Sequence, residues 1–367
     1  MMNQTEQDAN IQHMIGEGAR LGLFGGFDQN NSEFEGRFLS FELNETSGSI
    51  VNYSVATSGG NEIVFSRINL KDFNPTNVST IGSLIIKRNS NSSIVVHDNP
   101  VALLHVSSNH STQSANFTLA PGISAALLPR IGNETNISFA LIGGTDIQGI
   151  LMVRNGTLSV GSDGTGDGII VANSSDIMLR MKPSMTRGYN AMNEAVQTAI
   201  ANGKVAGELS LIVRNGSAMF DLLQYQTGFK MEVQQASENH VRLTASSEEH
   251  EGRVAIINLD QGTFDARMNK DIIITLDGMA IRQTQNPLDV LSNSGSQDGD
   301  AVYCIESTLN GSQIMIYVPN FSTHELDISS VSPLAGVLSI TGLLAFLGAM
   351  ATVGAATYLL FGRKRRK

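Results

Sequence analysis

The sequence predicts a mainly β protein with two β-sandwich-like domains, a joining helix and one C-terminal transmembrane helix. Three observations favour this arrangement. Short runs of β-branched and aromatic residues alternate with clusters of Gly, Asn, Ser and Asp along most of the 367 residues. This is the pattern of strands and turns. One amphipathic segment interrupts the runs, and one uncharged apolar segment lies close to the C-terminus.

A series of short strands is predicted in the first half of the chain, each bounded by turn-forming residues. They are Arg37–Glu42, Ser49–Ala56, Glu62–Ile68, Gly82–Lys87, Ser93–Val96, Val101–Val106, Ala115–Leu119, Ile137–Ile142, Gly149–Val153, Thr157–Val160, Gly168–Ala172 and Ile177–Met181. Two sandwiched sheets are the expected arrangement, and a β-solenoid in the first half is the alternative.

Two Asn-Gly pairs predict tight hairpins. Asn155-Gly156 lies within LMVRNGTLSV and Asn215-Gly216 lies within LSLIVRNGSAMF, each between apolar flanks. Asn and Gly tolerate the positive φ angles that both central residues of a type I′ turn require. We therefore expect each pair to close a two-residue hairpin.

The segment SMTRGYNAMNEAVQTAIANGK predicts a helix between the two β regions. Its apolar residues recur at spacings of three and four, which places them on one helical face. These residues are Tyr189, Met192, Val196 and Ile200. Asn202-Gly203 predicts the C-terminal end, because Gly and Asn accept the left-handed conformation that terminates many helices.

These elements predict six regions. They are a helical or loop segment over 1–30, a β domain over 31–184, a connecting helix over 185–203, a second β domain over 204–330, a transmembrane helix over 334–361 and a basic cytoplasmic tail over 362–367.

The apolar segment over 334–361, LAGVLSITGLLAFLGAMATVGAATYLLF, contains no charged residue. A helix rises about 1.5 Å per residue, so roughly 20 residues cross the hydrocarbon core of a bilayer. A basic cluster follows at once, and such clusters stay on the cytoplasmic side. Its residues are Arg363, Lys364, Arg365, Arg366 and Lys367. The sequence therefore predicts a single-pass cell-membrane protein whose main part is extracellular.

The start of the chain does not fit this topology by itself. Residues Met1–Asp8 lack the positive start, the apolar stretch and the cleavage site of a signal peptide. We expect either a start further upstream or a leader that has been removed.

Asparagine-based glycan acceptor sequences provide the strongest indication of export. The motif Asn-x-Ser/Thr, with x other than Pro, occurs 15 times among 30 asparagines, once at Asn3 and 14 times from Asn30 onward, which is more than the Ser and Thr content would produce at random. The acceptors are Asn30, Asn44, Asn52, Asn77, Asn91, Asn109, Asn116, Asn133, Asn136, Asn155, Asn173, Asn215, Asn310 and Asn320. Such sequons function in surface loops of exported proteins. Asn/Ser/Thr-rich turns are the alternative interpretation.

Charge and cysteine content exclude some functions and favour others. The net charge is −10 although the last five residues are all basic, so the rest of the chain is acidic and does not predict nucleic-acid binding. Cys304 is the only cysteine, so no internal disulfide can form, and a buried thiol is the expected role. A secreted domain without disulfides favours an archaeal or bacterial source.

No hydrolase or phosphate-binding motif occurs in the sequence, so we do not expect an enzyme. His97, His105 and His110 match no standard zinc spacing, and His97 and His105, on strands, are expected to be either satisfied structural residues or exposed ones. The stretches GSDGTGDG and NSGSQDGD supply Asp163, Asp167, Asp298 and Asp300 as candidate calcium ligands. They lack the EF-hand spacing, and plain surface turns are the favoured alternative. Calcium is the only cofactor candidate.

The last part of the second β region resembles the final module of archaeal cell-surface proteins, over residues 252–328. The matching stretches are Asn258-Leu259-Asp260, Asp277-Gly278-Met279-Ala280-Ile281, Val290-Leu291 and Tyr317-Val318-Pro319-Asn320-Phe321-Ser322-Thr323-His324. In that module a final strand comes just before a membrane anchor. The resemblance implies architecture and location, and it implies no chemistry. Asn320 replaces the usual His and creates a sequon.

Together these observations predict a cell-envelope surface glycoprotein with a structural, adhesive or protein-interaction role, such as an S-layer-associated component. An extracellular ligand- or glycan-binding receptor is the alternative. A membrane-fusion protein and an ectoenzyme rank below it, the former because the apolar, glycine-rich segment over 21–27 also fits a packed loop. Expected partners are the lipid bilayer, through residues 334–361, and other envelope proteins or a second copy of the chain.

Overall fold

The computed structural model describes residues 25–44, 46–57, 59–71, 73, 75, 77–99, 101–108, 113–128, 136–162, 167–183, 195–214, 217–248, 251–264, 271–293, 300–308 and 311–331. These residues form strands β1 to β27 and two short helices, α1 over 195–201 and α2 over Pro287–Asn293. The predicted mainly β fold is confirmed.

Two eight-stranded sheets occupy the first half of the chain. Sheet I has the order β1-β2-β3-β4-β5-β10-β15-β14, with β1 Asp28–Asn30, β2 Glu33–Glu35, β3 Leu39–Leu43, β4 Ile50–Thr57, β5 Gly60–Leu70, β10 Gln113–Leu119, β15 Asp167–Ser174 and β14 Thr157–Ser162. Sheet II has the order β11-β12-β13-β16-β9-β8-β7-β6, with β11 Ser124–Leu127, β12 Ile137–Gly143, β13 Ile147–Arg154, β16 Asp176–Pro183, β9 Leu103–Ser108, β8 Ser92–His97, β7 Leu84–Arg88 and β6 Asn77–Ile81.

Two smaller sheets occupy the second half. Sheet III has the order β18-β17-β21-β26-β25-β24, with β18 Ser217–Gln224, β17 Val205–Arg214, β21 Arg253–Asp260, β26 Gly311–Val318, β25 Val302–Thr308 and β24 Arg282–Gln283. Sheet IV has the order β19-β20-β27-β22-β23, with β19 Lys230–Ser237, β20 His240–Ser246, β27 Thr323–Val331, β22 Asp271–Leu276 and β23 Met279–Ala280.

The four sheets are stacked in the order I, II, III, IV. One apolar core joins sheets I and II and includes Phe65 and Leu151, and another joins sheets III and IV and includes Leu211 and Ile328. A third core joins the outer face of sheet II to sheet III and includes Met178 with Met315. Both faces of the two central sheets are therefore covered, and the two halves of the chain share a core.

The described part of the predicted connecting helix is α1. Val196 and Ile200 are buried in the core between sheets II and III, as their spacing predicts, whereas Tyr189 and Met192 lie outside the described residues. The helix ends where the sequence predicts. Gly203 has a φ of 68°, and the N–H groups of Gly203 and Lys204 donate to the carbonyls of Ile200 and Ala199.

The hairpin predicted at Asn155-Gly156 is wrong. Strand β13 pairs with β12 and β16 in sheet II, whereas β14 pairs with β15 in sheet I, so the Asn-Gly pair carries the chain from one sheet to the other. Asn155 has a positive φ of 52°, but the flanking strands do not pair. The second prediction is confirmed as a pairing, because Arg214 lies opposite Ser217 in β17 and β18.

The alternative of a β-solenoid in the first half is also wrong. The strands of sheets I and II pair antiparallel and belong to two facing sheets, whereas a solenoid would stack successive coils. In the apolar segment over 21–27, only Gly25, Gly26 and Phe27 are described. Gly25 donates its N–H to the Asp98 carbonyl, and the Phe27 ring packs on Phe41, which fits a packed loop at this end.

The predicted transmembrane helix over 334–361 and the basic residues Arg363–Lys367 lie outside the described residues. Within the described ranges, no helix has the length and apolarity needed to cross a membrane.

Candidate functional site

A buried group of charged and polar side chains lies between sheets II and III, beside the apolar core that joins them. We call it the polar seam. It contains His97, His105, Arg154, Asp176 and Arg180 from sheet II, with Glu208, Asp221, Gln224, Tyr225 and Asn258 from the second half of the chain. Charged groups removed from water are costly unless they are paired and hydrogen bonded, so their mutual geometry decides what the seam does.

One half of the seam is built around Asp221 of β18. His97 Nε2 lies 2.8 Å from Asp221 Oδ2, and His105 Nδ1 lies 2.8 Å from Asp221 Oδ1. The second ring nitrogen of His105 lies 3.4 Å from Asp176 Oδ1. His105 therefore lies between two carboxylates, and Asp221 lies between two imidazoles.

These contacts shift the ionisation of both partners. Burial alone would lower the pKa of His105, but Asp221 and Asp176 raise it to about 10. Burial alone would raise the pKa of Asp221, but the charge and hydrogen bonds of His105 hold it well below its usual range. His105 and Asp221 are therefore an ion pair across the whole physiological pH range.

The other half of the seam is built around Glu208 of β17, which is fully buried. Arg180 Nη1 donates to Glu208 Oε2 over 2.5 Å, and the Tyr225 hydroxyl donates to the same oxygen over 2.7 Å. Asn258 Nδ2 donates to Glu208 Oε1 over 2.7 Å. Burial would raise the pKa of Glu208, but Arg180 and these donors hold it below its usual value.

Arg154 joins the two halves of the chain at the end of β13. Its Nη1 donates to Gln224 Oε1 over 2.7 Å and to Asp176 Oδ2 over 3.3 Å, and its Nη2 donates to the Gln224 carbonyl. With His105 protonated, the cations Arg154, Arg180 and His105 balance the anions Asp176, Glu208 and Asp221. Apart from His97, the cations and anions of the polar seam are therefore equal in number.

The register of sheet III explains why these side chains lie at one level. Asp221 lies opposite Ser210, Ser210 opposite Asn258, and Asn258 opposite Gln313 across four neighbouring strands. Gln313 Nε2 donates to Asn258 Oδ1 over 2.8 Å. The next level along the same strands contains Glu208 and Ile256. Because neighbouring strands align residues of one face in rows, a polar row crosses an otherwise apolar surface.

The seam fits a docking role better than a catalytic one. Its charged groups bond one another across the two halves, and they are almost entirely buried. Apolar contacts favour burial without fixing an orientation, whereas paired charges tolerate only one register of sheet II on sheet III. The arrangement can hold the two halves in a single relative orientation.

The elevated pKa of His105 predicts a pH-dependent stability. An unfolded histidine loses its proton near its ordinary value of 6.5, whereas folded His105 keeps it until about pH 10. The stabilisation is thus complete below pH 6.5 and is lost as the pH rises towards 10. We expect His105→Gln to have a lower free energy of unfolding than wild type at pH 6. At pH 10 this difference in free energy should be smaller by a few kcal/mol.

Denaturant unfolding of both proteins at pH 6, 8 and 10 measures this difference. Lys87 contributes the opposite slope, because burial lowers its pKa from 10.5 to about 8, but it does so equally in both proteins. If the free energies of unfolding of the two proteins differ by the same amount at pH 6 and at pH 10, the ion pair of His105 does not stabilise the fold.

The predicted site residues lie in different parts of the molecule. Of the two alternatives for His97 and His105, the structural one applies, because both are buried and contact Asp221, whereas His110 lies outside the described residues. Asp163 and Asp298 also lie outside them. Asp167 is exposed at the start of β15 in sheet I, and Asp300 is exposed just before β25 in sheet III. No group of three or more potential metal ligands occurs among the residues described, and calcium binding stays a prediction.

The sequon asparagines of the described residues all reach the surface. Eight of them are exposed, and they are Asn30, Asn44, Asn77, Asn91, Asn136, Asn155, Asn173 and Asn320. Asn52 and Asn116 are half-buried. The remaining four, Asn109, Asn133, Asn215 and Asn310, lie outside the described ranges. Every described acceptor is therefore at least partly accessible.

The polar seam was not predicted from the sequence. Arg180, Glu208 and Asp221 interrupt the apolar runs IMLRMK, GELSLIV and AMFDLL, and a charge inside such a run was the available signal. A single sequence does not reveal that these charges, which are distant along the chain, meet each other.

The comparisons with known proteins cover parts of the chain. The model of the MAST domain matches residues 186–336, which include sheets III and IV. Among curated proteins, none matches in sequence.

Two solved structures show only weak likeness. A glycoside hydrolase of family 81 from Clostridium thermocellum is 12% identical with a TM-score of 0.32, over 83% of this chain and 37% of that one. A YidC insertase is 10% identical with a TM-score of 0.23, over 55% of this chain and 52% of that one. The chain thus spans about a third and about half of their lengths. The chain is similar to the MAST domain over its second half.

Proposed function

We propose that this protein is a cell-envelope surface glycoprotein with a structural or protein-interaction role, held on the outer side of the membrane by the apolar segment over 334–361. In this proposal the stacked sheets form a rigid extracellular body of two β-sandwiches that share their central core. The resemblance of residues 252–328 to the final module of archaeal cell-surface proteins supports this location.

The observation that carries the proposal is the placement of the sequons. All ten described acceptors are exposed or half-buried, as a glycan requires. Positive φ angles at Asn155 and Asn320, which lie between strands, place these two at bends, where a glycan projects without disturbing a sheet. Asn99 and Asn258, which are not sequons, are the buried asparagines of the described part of the chain.

The buried polar seam supports a structural role. Its charges are used to fix the two halves of the chain against each other, and its paired groups leave no free acid, base or nucleophile for a reaction. A body with one fixed shape suits a protein that presents defined faces to its neighbours.

Mass spectrometry of glycopeptides from the native protein, combined with protease treatment of intact cells, tests the proposal. We expect glycans on most of the 14 sequons from Asn30 onward and digestion of the body by protease added outside. An unmodified chain whose body is protected until the cells are broken would refute the proposed location.

A further inference from the structure

The two outer faces of the stack differ in their glycan acceptors. Sheet I carries sequons on its own strands at Asn30, Asn52 and Asn116. Asn116 alternates with the core residues Ala115 and Phe117, so it faces outward. The five strands of sheet IV contain no sequon in their sequence. Glycans on the predicted acceptors would cover the outside of sheet I. Beside sheet IV an acceptor lies at Asn320, in the turn before β27, which leaves the rest of its outer face free for contact.

The two neighbouring strands β20 and β27 carry opposite charges on the outer face of sheet IV. Strand β20 presents His240 and Arg242 outward, because Val241 and Leu243 face the core, and Lys230 is exposed on the neighbouring β19. Glu232 on β19 and Glu238 in the turn between β19 and β20 are exposed carboxylates nearby, so the basic character belongs to β20 alone.

Strand β27 forms the acidic side of the same face. It presents Glu325 and Asp327 outward, because Leu326 and Ile328 face the core. Asp277, in the turn after β22, adds another carboxylate. The outward charged residues of β20 are therefore basic, and those of β27 are acidic.

These charges remain accessible although they also pair within the chain. Arg242 lies 3.1 Å from Asp327 and 3.7 Å from Glu325. The side chains of Arg242 and Glu325 are 42% and 54% exposed. A pair that is this exposed contributes little to folding, so its atoms can also contact a second surface.

We propose that the outer face of sheet IV binds the same face of a second copy of this chain, around a two-fold axis parallel to β27. Such an axis, placed between β20 and β27, lays β20 of one copy over β27 of the other. The basic strand β20 of each copy then meets the acidic strand β27 of its partner, which is the self-complementarity that a two-fold interface requires.

The position of the predicted anchor agrees with this axis, and this step rests on the proposed function. Strand β27 ends at Val331, and the apolar segment begins at residue 334. An axis parallel to β27 keeps the C-terminal ends of both copies on the same side, so both anchors enter one bilayer. A two-fold axis perpendicular to β27 would direct them to opposite sides.

Charge-reversing substitutions at Arg242 and Asp327 test the interface. They are placed in two differently tagged full-length chains in native membranes. We expect Arg242→Glu alone and Asp327→Arg alone to weaken self-association at least tenfold, measured by co-purification after membrane solubilisation. Co-expression of the two variants should restore association, because each mixed contact then joins opposite charges. The in-chain pairs remain like-charged in both variants, so restoration reports contact between copies. Lys71→Glu, on exposed Lys71 next to sheet I, is the control and should change nothing.

A thiol reporter provides a second measurement. Cys304 is buried, so Thr244→Cys adds a single accessible thiol beside the proposed axis, and a short bismaleimide should link it to its counterpart. Any of three results would overturn the inference. The wild-type chain could be monomeric in membranes, the mixed pair could fail to restore association, or the reagent could fail to link the dimers through position 244. The glycopeptide result is independent of these outcomes, so failure of the interface and failure of the proposed location are distinguishable.

Discussion

Replacing Glu208 with glutamine is expected to destabilise the protein by about 3–5 kcal/mol, because it leaves a buried guanidinium without its counter-ion. Glu208 is fully buried and accepts from Arg180, Tyr225 and Asn258. Glutamine keeps the size and one acceptor oxygen, so the loss reports the charge and not a cavity. Denaturant unfolding at pH 7 measures the change.

Two comparisons isolate the cause. Glu33→Gln, on an exposed strand residue, should change stability by no more than about 0.5 kcal/mol. The double variant Arg180→Met with Glu208→Leu removes both charges, and it should recover most of the loss, since apolar residues of similar size often replace a buried ion pair without cost. A Glu208→Gln protein as stable as the Glu33→Gln control would show that the charge of Glu208 does not stabilise the fold.

Replacing Asp98 with alanine is expected to cost at least about 3 kcal/mol. The Asp98 carboxylate is completely buried and accepts the backbone N–H groups of Arg37, Phe38 and Leu39 at 2.8, 2.7 and 3.3 Å. Each buried N–H that loses its acceptor costs about 1–3 kcal/mol. Because Asp98 follows β8 of sheet II and the three donors lie at the start of β3 of sheet I, the variant loosens one end of the first sheet pair.

Gly36 provides an independent check of the same contact. A Cβ atom there would lie 2.5 Å from the Asp98 Cγ atom, so Gly36→Ala should also destabilise the protein, and combining it with Asp98→Ala should cost less than the sum of the two. Asp28→Ala, at an exposed position of β1, is the control for removal of a carboxylate. Thermal unfolding of the four variants measures these effects, and strictly additive losses would contradict the contact.

The strands of the first half were predictable because each carries its own local pattern. Ile177–Met181, for example, lies within the observed β16, Asp176–Pro183. Strands β1, β2, β6 and β11 were not predicted. Strand β1 is exposed throughout and β11 is almost entirely exposed, so they show little of the apolar alternation on which strand prediction depends.

The stacking of the sheets was not predictable, because it depends on contacts between distant parts of the chain. Nothing local distinguishes Asn155-Gly156, which carries the chain from sheet II to sheet I, from Asn215-Gly216, which joins two paired strands. The polar seam was not predictable for the same reason. Asp221 meets His97 across 124 positions of sequence, and each looks like an isolated charge or an isolated histidine in its own strand.

The two halves of the chain form one body through the core and the polar seam between sheets II and III. A protease recognition sequence inserted between residues 184 and 190, outside the described strands, would allow the two halves to be cut apart after folding. We predict that the cleaved halves co-elute as one particle in size-exclusion chromatography at pH 7 in 0.5 M salt. Separation of the two fragments under these conditions would contradict the account.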